Sequence, residues 1–461
     1  KAAFGNAPAS LPLKDGAKVV CNDATKVDWA TVCPHVDGHE VFVIGNPPYL
    51  GARNQDEASK DAVCRCYNGA PEHKDADLIS CWFIRGAAYI TGKTAQLAFV
   101  TTNSVCQGDH VAILWPRVLG KGLEIHFAHT SFKWSNSAKN NAAVICSIIG
   151  LRPKSSAPKW IFSGAVKSLA ANINPYLARG SDTVIGRRSE PLSKLPYAVM
   201  GSMARDGGNL ILDRAEKEQI IASYPDAKKL VRYLVGAQEF IRSERRWCLW
   251  IEDSNLKLAK SVPPIASRIA KVYEFRVAST ANTTNGYASI PHQFAQRAHK
   301  DGISLILPRV SSERRDYIPF GLLNSDSIIS DSAMAIYNAE PWILGVLSSR
   351  MPMTWVRTVA GRLKSDYRYS STICYNNFPF PEISTGQKKE LDAAVQEVLV
   401  ERERHFPKTI AQLYDPDTMP SSLLAAHHAL DAAVEKCYRT KPFTSDEERL
   451  EYLFALYEKM T

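Results

Sequence analysis

The sequence predicts an α/β fold for its first third, a mixed α+β region after it, and a helical segment at the carboxyl end. Apolar strand-like runs alternate with segments of helical period over the first 150 residues. From about residue 190 to 380 the chain is richer in loops, arginines and aromatic rings. After "YNNFPFPEISTG", at 375–386, three segments have the apolar spacing of amphipathic helices.

The sequence of the first third predicts a layered α/β sheet because strand-like and helix-like segments follow one another in turn. The predicted strands are "AKVVCND" (17–23), "VFVIGN" (41–46), "AQLAFVTTN" (95–103), "LEIHFAHTS" (123–131) and "AAVICSIIGL" (142–151), and the predicted helices are "DADLISCWFIRGAAYI" (75–90) and "DHVAILWPRVLG" (109–120). No helix-like segment joins the last two strands, so we expect them to pair antiparallel.

Two breaks in this pattern predict domain boundaries. "RPKSSAPKW", at 152–160, interrupts the alternation with proline, serine and lysine, and "FPFPE" ends the arginine-rich region. The predicted domains are residues 1–155, 156–383 and 384–461. Helices are predicted in the last domain over 387–406, 422–438 and 444–460, the third with an N-cap and an acidic first turn.

Composition narrows the function classes without choosing one. The 461 residues carry 56 Lys and Arg against 47 Asp and Glu, a net charge of +9 that fits a polyanionic partner without requiring one. No apolar run is long enough to predict a membrane span. Ten cysteines are scattered along the chain, so we predict neither a zinc site nor disulfides, but free thiols in a reducing, cytoplasmic compartment.

The strand-like run "VFVIG" ends in Asn46, Pro47, Pro48 and Tyr49, a set of groups suited to a planar amine. The Asn46 side-chain oxygen and the Pro47 carbonyl can each accept one N–H of an amino group, which leaves the nitrogen lone pair free to attack an electrophile. The prolines hold that carbonyl in place, and Tyr49 offers a flat face for stacking. The alternative is a proline-stabilised turn that binds nothing.

Beyond this motif, long stretches of the chain resemble the MmeI-like family of bifunctional type II restriction–modification enzymes. The resemblance lies in "VFVIGNPPYLGARNQ", "FVTTNSVCQG", "EIHFAHTSFKWSNSAKNNAAV", "EFIRSERRWCLWI", "ILPRVSSERRDYIPFGLL" and "SSRMPMTWVRTVAGRLKSDYRYSSTICYNNFPFPE", in the family's order. It implies a methyltransferase that uses S-adenosylmethionine to modify the exocyclic amino group of adenine in double-stranded DNA, with the base flipped out. Residues 1–155 would then be a partial class I (Rossmann-like) methyltransferase domain, 156–383 the target-recognition domain and 384–461 a helical carboxyl-terminal segment.

The resemblance also implies roles for residues around the flipped base. Asn46 and Pro47 would hold the target amino group while Tyr49 stacks on the ring. In "SFKWSN", Phe132 or Trp134 would cover the opposite face, and we expect the two to point to opposite sides of a strand-end loop, so that one contacts the base. The segment 101–104, "TTNS", either lines the same pocket or forms a hydrogen-bonded turn.

For the cofactor, the resemblance implies Asn22 or Asp23 as the reader of the adenine of S-adenosylmethionine, with an Asx turn as the alternative. Asp77 and Leu78 fit the helix start that borders the cofactor site, and a plain N-cap is the alternative for Asp77. The family's glycine-rich "DPACGSG"-type loop is missing from the residues before Asn46. We therefore expect an incomplete cofactor site and a missing amino-terminal half, or a partner chain, that supplies this loop with or without a nuclease.

The arginine-rich region contains "IRSERRW", "RVSSERRDY" and "RLKSDYRYS", mixtures that suit both phosphate contacts and the reading of base edges. A solvated charged face would look similar. Under the resemblance, Glu313 and Asp316 either hold arginines in place or accept from cytosine. The candidate DNA contacts are Arg309, Arg314, Arg315, Arg362, Lys364 and Arg368.

Two other functions are weighed against this one. Protein-glutamine and RNA methyltransferases use the same four-residue motif, but they rarely carry nearly 200 residues of arginine- and aromatic-rich chain after it. A non-catalytic DNA-binding fragment would recognise a site and modify nothing. His427 and His428 predict one core and one surface side chain, and no metal ligand.

Overall fold

The structure is a computed structural model that describes residues 18–134 and 144–461. Contacts divide the chain into two compact units. The first contains the described residues up to 105 and those from 112 to 177, and the second contains residues 106–111 and 178–461. None of the described helices combines the length and apolar character that crossing a lipid bilayer requires.

The first unit is a sheet with helices packed on it. Its strands are β1 (Val41–Gly45), β2 (Ala95–Thr102), β3 (Leu123–Trp134), β4 (Val144–Pro153), β5 (Lys159–Ser163) and β6 (Val166–Ala170). Its helices are α1 (Trp29–Val32), α2 (Glu57–Cys66), α3 (Ser80–Ile90) and α4 (Asp109–Leu119), the start of which belongs to the second unit.

The six strands form one mixed sheet in the order β1-β2-β4-β3-β5-β6. β1 runs parallel to β2, and both β2 and β3 run antiparallel to β4. The carboxyl ends of β1, β2 and β3 therefore face the same edge of the sheet. β5 and β6 continue the sheet past residue 155, which the sequence predicted as the end of this domain.

Close packing of α3 on β2 holds this sheet together. A Cβ on Gly86 would lie 2.1 Å from Cδ1 of the buried Leu97 side chain, so any larger residue at this position would displace that side chain. The Phe83 ring meets the Phe99 ring edge-on, with centroids 5.4 Å apart, and both are fully buried. This core places the end of β2 beside the end of β1.

The predicted α/β sheet and the antiparallel pairing of β3 with β4 are confirmed. The predicted strand over 17–23 is wrong for its described part, because residues 18–23 form no strand and Val19 is 89% exposed. An apolar run becomes a strand only where a neighbour supplies hydrogen bonds, and none of the described strands pairs with this segment.

The second unit contains three small sheets. The first has the order β14-β9-β10-β8, the second β13-β11-β15-β7 and the third β12-β17-β16. Their strands are β7 (Val199–Met200), β8 (Ile211–Leu212), β9 (Val231–Val235), β10 (Arg246–Leu249), β11 (Ser304–Pro308), β12 (Val310–Ser311), β13 (Gly321–Leu323), β14 (Ser327–Ile329), β15 (Ala333–Tyr337), β16 (Gly361–Leu363) and β17 (Asp366–Arg368).

Helices surround these sheets and fill the carboxyl-terminal part of the unit. They are α5 (Arg214–Ser223), α6 (Ala237–Arg242), α7 (Leu256–Ser261), α8 (Pro263–Val277), α9 (Asn282–Asn285), α10 (Pro341–Leu347), α11 (Arg350–Val359), α12 (Thr385–Arg404), α13 (Ile410–Leu413), α14 (Ser421–Tyr438) and α15 (Asp446–Met460).

The three predicted carboxyl-terminal helices are confirmed as α12, α14 and α15. The last begins as the sequence predicts, because Ser445 accepts a hydrogen bond from the Glu448 N–H and three acids follow it. On α14, His427 is fully buried and His428 is exposed, as predicted.

Candidate functional site

The motif Asn46–Tyr49 lies at the edge of the sheet where β1, β2 and β3 all end. Pro47 is buried and Tyr49 is half-buried, whereas Asn46 and Pro48 are exposed. The Asn46 amide makes no hydrogen bond with any described residue and is free to bind a ligand. Desolvation raises the pKa of Tyr49, and the nearby Cys146 adds to this, so its ring is neutral over the physiological range.

Asp77 anchors the chain directly after this motif. Its Oδ1 accepts hydrogen bonds from the Leu50 N–H at 2.9 Å and from the Ile79 N–H at 3.1 Å. The Leu50 carbonyl in turn accepts from the Leu78 N–H and from the Gln55 side-chain amide. Asp77 is buried and α3 begins later, at Ser80, so its carboxylate holds the motif's loop and does not cap that helix.

Leu78 belongs to the core and not to an open surface. It packs in a cluster of apolar side chains with Ala62, Val63 and Tyr67. Asp77 and Leu78 therefore lie behind the motif, where they fix its position. Gln55 was missed at the sequence level, although it stands in the stretch "LGARNQ" that directly follows the motif.

The end of β2 contributes hydroxyl groups beside the motif. Thr101 is buried in the strand, and the Thr102 and Ser104 hydroxyls hydrogen-bond each other at 2.7 Å. Thr102 pairs with Cys146 on β4, and Cys146 pairs with Phe132 on β3. One row across the sheet thus joins "TTNS" to the aromatic residues at the end of β3.

Phe132 and Trp134 lie on the same side of the sheet, so the prediction that they point to opposite sides is wrong. Both belong to β3, where residues two apart share a face. Their ring centroids are 6.3 Å apart with the planes at 43°. Trp134 is 39% exposed and Phe132 is half-buried, so both rings are available to one ligand. Ser135 and Asn136 of "SFKWSN" lie outside the described residues.

A second feature of the first unit separates the two candidate adenine readers. Asn22 lines a cavity of about 400 Å³ together with Trp29, Phe42, Ile44 and Tyr89. Asp23 does not line it, because its Oδ1 accepts from the Thr25 N–H and hydroxyl in an Asx turn. The Thr25 hydrogen bonds lower the pKa of Asp23. Asn22 also accepts a hydrogen bond, from the Asp23 N–H to its Oδ1 at 2.8 Å, but it lines the cavity and is therefore the better placed of the two for a ligand there.

The cavity opens at the outer edge of β1. This strand is the last of the sheet, and its Phe42 and Ile44 side chains are 62% and 80% exposed. Large exposed apolar side chains beside an unpaired strand edge form a surface that another segment can cover.

In the second unit, the candidate DNA contacts gather around the small sheet β12-β17-β16. β16 and β17 form a hairpin that we call the recognition hairpin, residues 361–368. At its tip, Lys364 has a φ of 57° and is exposed. Arg368 is exposed on β17. Neither side chain pairs with any described residue, so both are free to contact a polyanion.

Other candidates are partly occupied within the protein. Arg362 lies over the Tyr367 ring, 3.9 Å from its centroid, and donates to the carbonyls of Arg357 and Ser365. Arg309 donates to the Asp331 carbonyl. These two arginines stabilise the local fold and have fewer donors left for a ligand.

Arg314 and Arg315 also differ from each other. Arg314 is exposed, but it forms an ion pair with Asp417. Arg315 is half-buried, and desolvation lowers the pKa of its guanidinium. Asp316, which the sequence suggested as a residue that holds an arginine in place, accepts a hydrogen bond on its Oδ1 from Arg357 at 3.0 Å.

Comparison with known sequences assigns nearly the whole chain to three parts of one family. The family models are the DNA-methyltransferase domain of MmeI, which matches residues 1–163, its target recognition domain, 179–382, and its C-terminal domain, 383–461. "DNA methyltransferase A" of Bacillus subtilis (strain 168) is 44% identical over 453 residues, which are 98% of this chain and 51% of that protein.

A solved structure agrees with the sequence comparison. MmeI, a type IIL restriction-modification enzyme solved in complex with DNA, matches 100% of this chain and 62% of its own chain, with 38% identity and a TM-score of 0.84. The chain therefore spans about half to three fifths of the length of these relatives. It belongs to the MmeI family of restriction–modification DNA methyltransferases, with a methyltransferase domain followed by the target recognition and C-terminal domains.

Proposed function

We propose that this chain carries the target-base site and the recognition domain of an adenine-specific DNA methyltransferase. The substrate is the exocyclic 6-amino group of an adenine flipped out of double-stranded DNA. The observation that carries the proposal is the free amide of Asn46, which stands with Tyr49 at the sheet edge where Phe132 and Trp134 also lie. An amide acceptor, a rigid carbonyl and aromatic faces are the groups that a planar aromatic amine requires.

In the proposed mechanism, Asn46 Oδ1 and the Pro47 carbonyl each accept one N–H of the amino group. Two acceptors draw the nitrogen lone pair out of conjugation with the ring and direct it at the incoming methyl group. Tyr49 and one of the two β3 rings stack on the base. The proton that the product amine sheds passes to solvent, to which Asn46 is open.

The energies of base flipping support this arrangement. Extruding a base costs a few kcal/mol. One stacked ring returns ~1–3 kcal/mol, and two neutral hydrogen bonds return ~0.5–1.5 kcal/mol each. These contributions nearly balance the cost of flipping. Contacts between the recognition domain and DNA must then supply the net affinity, and the unpaired Lys364 and Arg368 are suited to that role.

S-adenosylmethionine would supply an electrophilic methyl group. The residues present fit its adenine end, because Asn22 provides an amide beside the apolar cavity walls of Phe42 and Ile44. They do not fit its methionine end, because the residues before Asn46 contain no loop of the "DPACGSG" type. We therefore place in this chain only the wall of the cofactor site that Asn22 contributes.

We further propose that a segment outside the described residues pairs with the outer edge of β1 and completes the cofactor site. The exposed Phe42 and Ile44 and the open cavity beside them support this. Calorimetric titration of the chain with S-adenosylmethionine should show no micromolar binding. Micromolar affinity of the chain alone would contradict the proposal of a shared site.

The test of the function itself uses the chain supplemented with the portion of the Bacillus subtilis relative that does not align with these 461 residues. Transfer of a radiolabelled methyl group to duplex DNA, with the product base identified by mass spectrometry, should give N6-methyladenine. Asn46→Ala should lower the rate ~10²–10³-fold, since it removes an acceptor from the transition state. Asn54→Ala, an exposed asparagine eight residues further on, is the matched control and should leave the rate unchanged.

Two outcomes would overturn the proposal. Full methyl transfer by Asn46→Ala would remove the role of the amide, and a methylated cytosine, RNA or protein product would change the substrate. Sequence-specific DNA binding with no transfer under any supplementation would instead favour the second candidate, a DNA-binding fragment without catalysis. The unpaired cations of the recognition hairpin are the observation that supports this second candidate.

A further inference from the structure

Helix α11 lacks a local cap at its start and receives one from a distant part of the chain. Ser349 occupies the N-cap position, but its hydroxyl donates to the Val346 carbonyl and caps nothing. The Arg350 N–H instead donates to Oδ1 of Asp431, at 2.7 Å. Asp431 stands on α14, 81 residues further along. A carboxylate at this place satisfies a free N–H and favours the positive end of the helix dipole.

The same carboxylate holds a second segment. The Tyr317 hydroxyl donates to Oδ2 of Asp431 at 2.6 Å. Tyr317 is fully buried and stacks on His427, with ring centroids 4.2 Å apart. Burial lowers the pKa of His427 to about 3, so that ring is neutral. Tyr317 comes directly after residues 314–316, which include two of the candidate DNA contacts.

Asp446, on α15, extends this linkage to the recognition hairpin. It accepts from Arg350 Nε and Nη2 at 2.8 and 3.1 Å and from Arg357 Nη1 at 3.3 Å. Arg357 also donates to Asp316, and its carbonyl accepts from Arg362 inside the hairpin. A continuous set of hydrogen bonds thus runs from α14 and α15 to both DNA-facing segments.

An ionised Asp431 carboxylate lowers the stability of the folded chain, because the side chain is buried. Burial raises its pKa to about 6, and the neighbouring Glu435 adds to this, whereas Tyr317 and Arg350 oppose it. An apolar side chain of similar size would avoid that cost. A buried acid that joins two segments and destabilises the fold when ionised fits a positioning role better than a purely structural one.

We propose that Asp431 is a positioning residue for target recognition, through which the carboxyl-terminal helices fix α11 and the loop before Tyr317 and so aim the DNA-facing side chains. This inference rests on the proposed function, since it presumes that residues 309–316 and the recognition hairpin contact DNA. In this proposal the C-terminal domain contributes to sequence discrimination without contacting DNA itself.

The test selects preferred duplexes from a random DNA pool with the unaltered chain, and then measures its affinity for the preferred duplex and for single-base variants at fixed salt. Asp431→Leu should lower the discrimination about tenfold, equivalent to one base contact. Asp431→Asn retains an acceptor for the Arg350 N–H and should restore discrimination to within about threefold of the unaltered chain. Glu451→Ala, an exposed acid on α15, is the control and should change nothing.

The outcomes separate the two proposals. If the unaltered chain enriches no sequence, the proposed function fails and this inference with it. If the unaltered chain discriminates and a folded Asp431→Leu discriminates equally well, the inference alone is overturned. Should Asp431→Leu fail to fold, Tyr317→Phe removes one hydrogen bond and keeps the ring. Unchanged discrimination by that variant, together with unchanged amide exchange in residues 361–368 and 312–316, also overturns the inference.

Discussion

Removal of the Asp77 carboxylate should loosen the chain directly after the Asn46–Tyr49 motif. In Asp77→Ala, the Leu50 N–H loses its acceptor, whereas the Leu50 carbonyl keeps its bonds from Leu78 and Gln55. The loop therefore remains attached but is held from one side only. We expect a local effect at Leu50 and a loss of positioning at Asn46, without unfolding of the sheet.

The magnitude follows from the kind of bond that is lost. A hydrogen bond to a charged group contributes ~1.5–3 kcal/mol, which corresponds to exchange of the Leu50 amide roughly 10- to 100-fold faster. Asp77→Asn keeps a neutral acceptor worth ~0.5–1.5 kcal/mol, so its exchange should rise by only about fivefold. Methyl transfer by the supplemented enzyme should fall in the same order, because the amide of Asn46 would be held less firmly.

Hydrogen exchange with single-residue resolution on the full chain measures this directly. Asp61→Ala removes an exposed acid from α2 and serves as the control, with no change expected at Leu50. The Ile79 amide, which shares the Asp77 acceptor, should respond together with Leu50. If Asp77→Ala leaves the exchange of both amides within a factor of two, the carboxylate does not hold this loop and the reasoning fails.

Three further outcomes test other parts of the structure. Asp431 has a pKa of about 6 in the folded chain, above its unfolded value, so the folded chain holds its proton to higher pH and the free energy of unfolding falls by roughly 3 kcal/mol as pH rises from about 4 to about 6. Asp431→Asn should lack this loss. Urea unfolding that shows the same pH dependence for Asp431→Asn and for the unaltered chain would contradict the prediction. Lys364→Ala should reduce the slope of log affinity against log salt by about 0.9 if Lys364 meets a phosphate, and an unchanged slope would exclude that contact. Gly108→Ala should destabilise the base of the recognition hairpin by ~1–3 kcal/mol, because residue 108 has a φ of +56° and the alanine Cβ would lie 3.0 Å from Gly361 Cα. Unchanged hydrogen exchange of the amides of residues 361–368 would count against this prediction.

Local patterns in the sequence predicted most of the regular structure. β1, β2, α3 and the last three long helices follow from apolar period and from caps such as Ser445. The strand predicted at 17–23 fails because its residues have the right composition but no pairing neighbour among the described strands. Periodicity describes one segment at a time, whereas a strand is a property of two.

Only the part of the site that is contiguous in the sequence could be predicted. The four residues Asn46–Tyr49 are consecutive, so the sequence alone predicts the chemistry of this motif. The Asp77 bond to Leu50 spans 27 residues and the Asp431 bond to Arg350 spans 81, and no spacing rule reaches that far. The side on which Phe132 and Trp134 point required knowing that β3 continues through Trp134, because a loop and a strand orient residues two apart differently.

The outer edge of β1 has a practical consequence for work with this polypeptide. The segment "VFVIG" is apolar, uncharged and free of proline, and on the side away from β2 none of the described strands pairs with it. At high concentration, two copies can align these edges and join their sheets, which would appear as reversible self-association in light scattering. Ile44→Lys places a charge on the exposed face of the strand and should keep the polypeptide monomeric without disturbing Val41 and Val43, which lie on the other face.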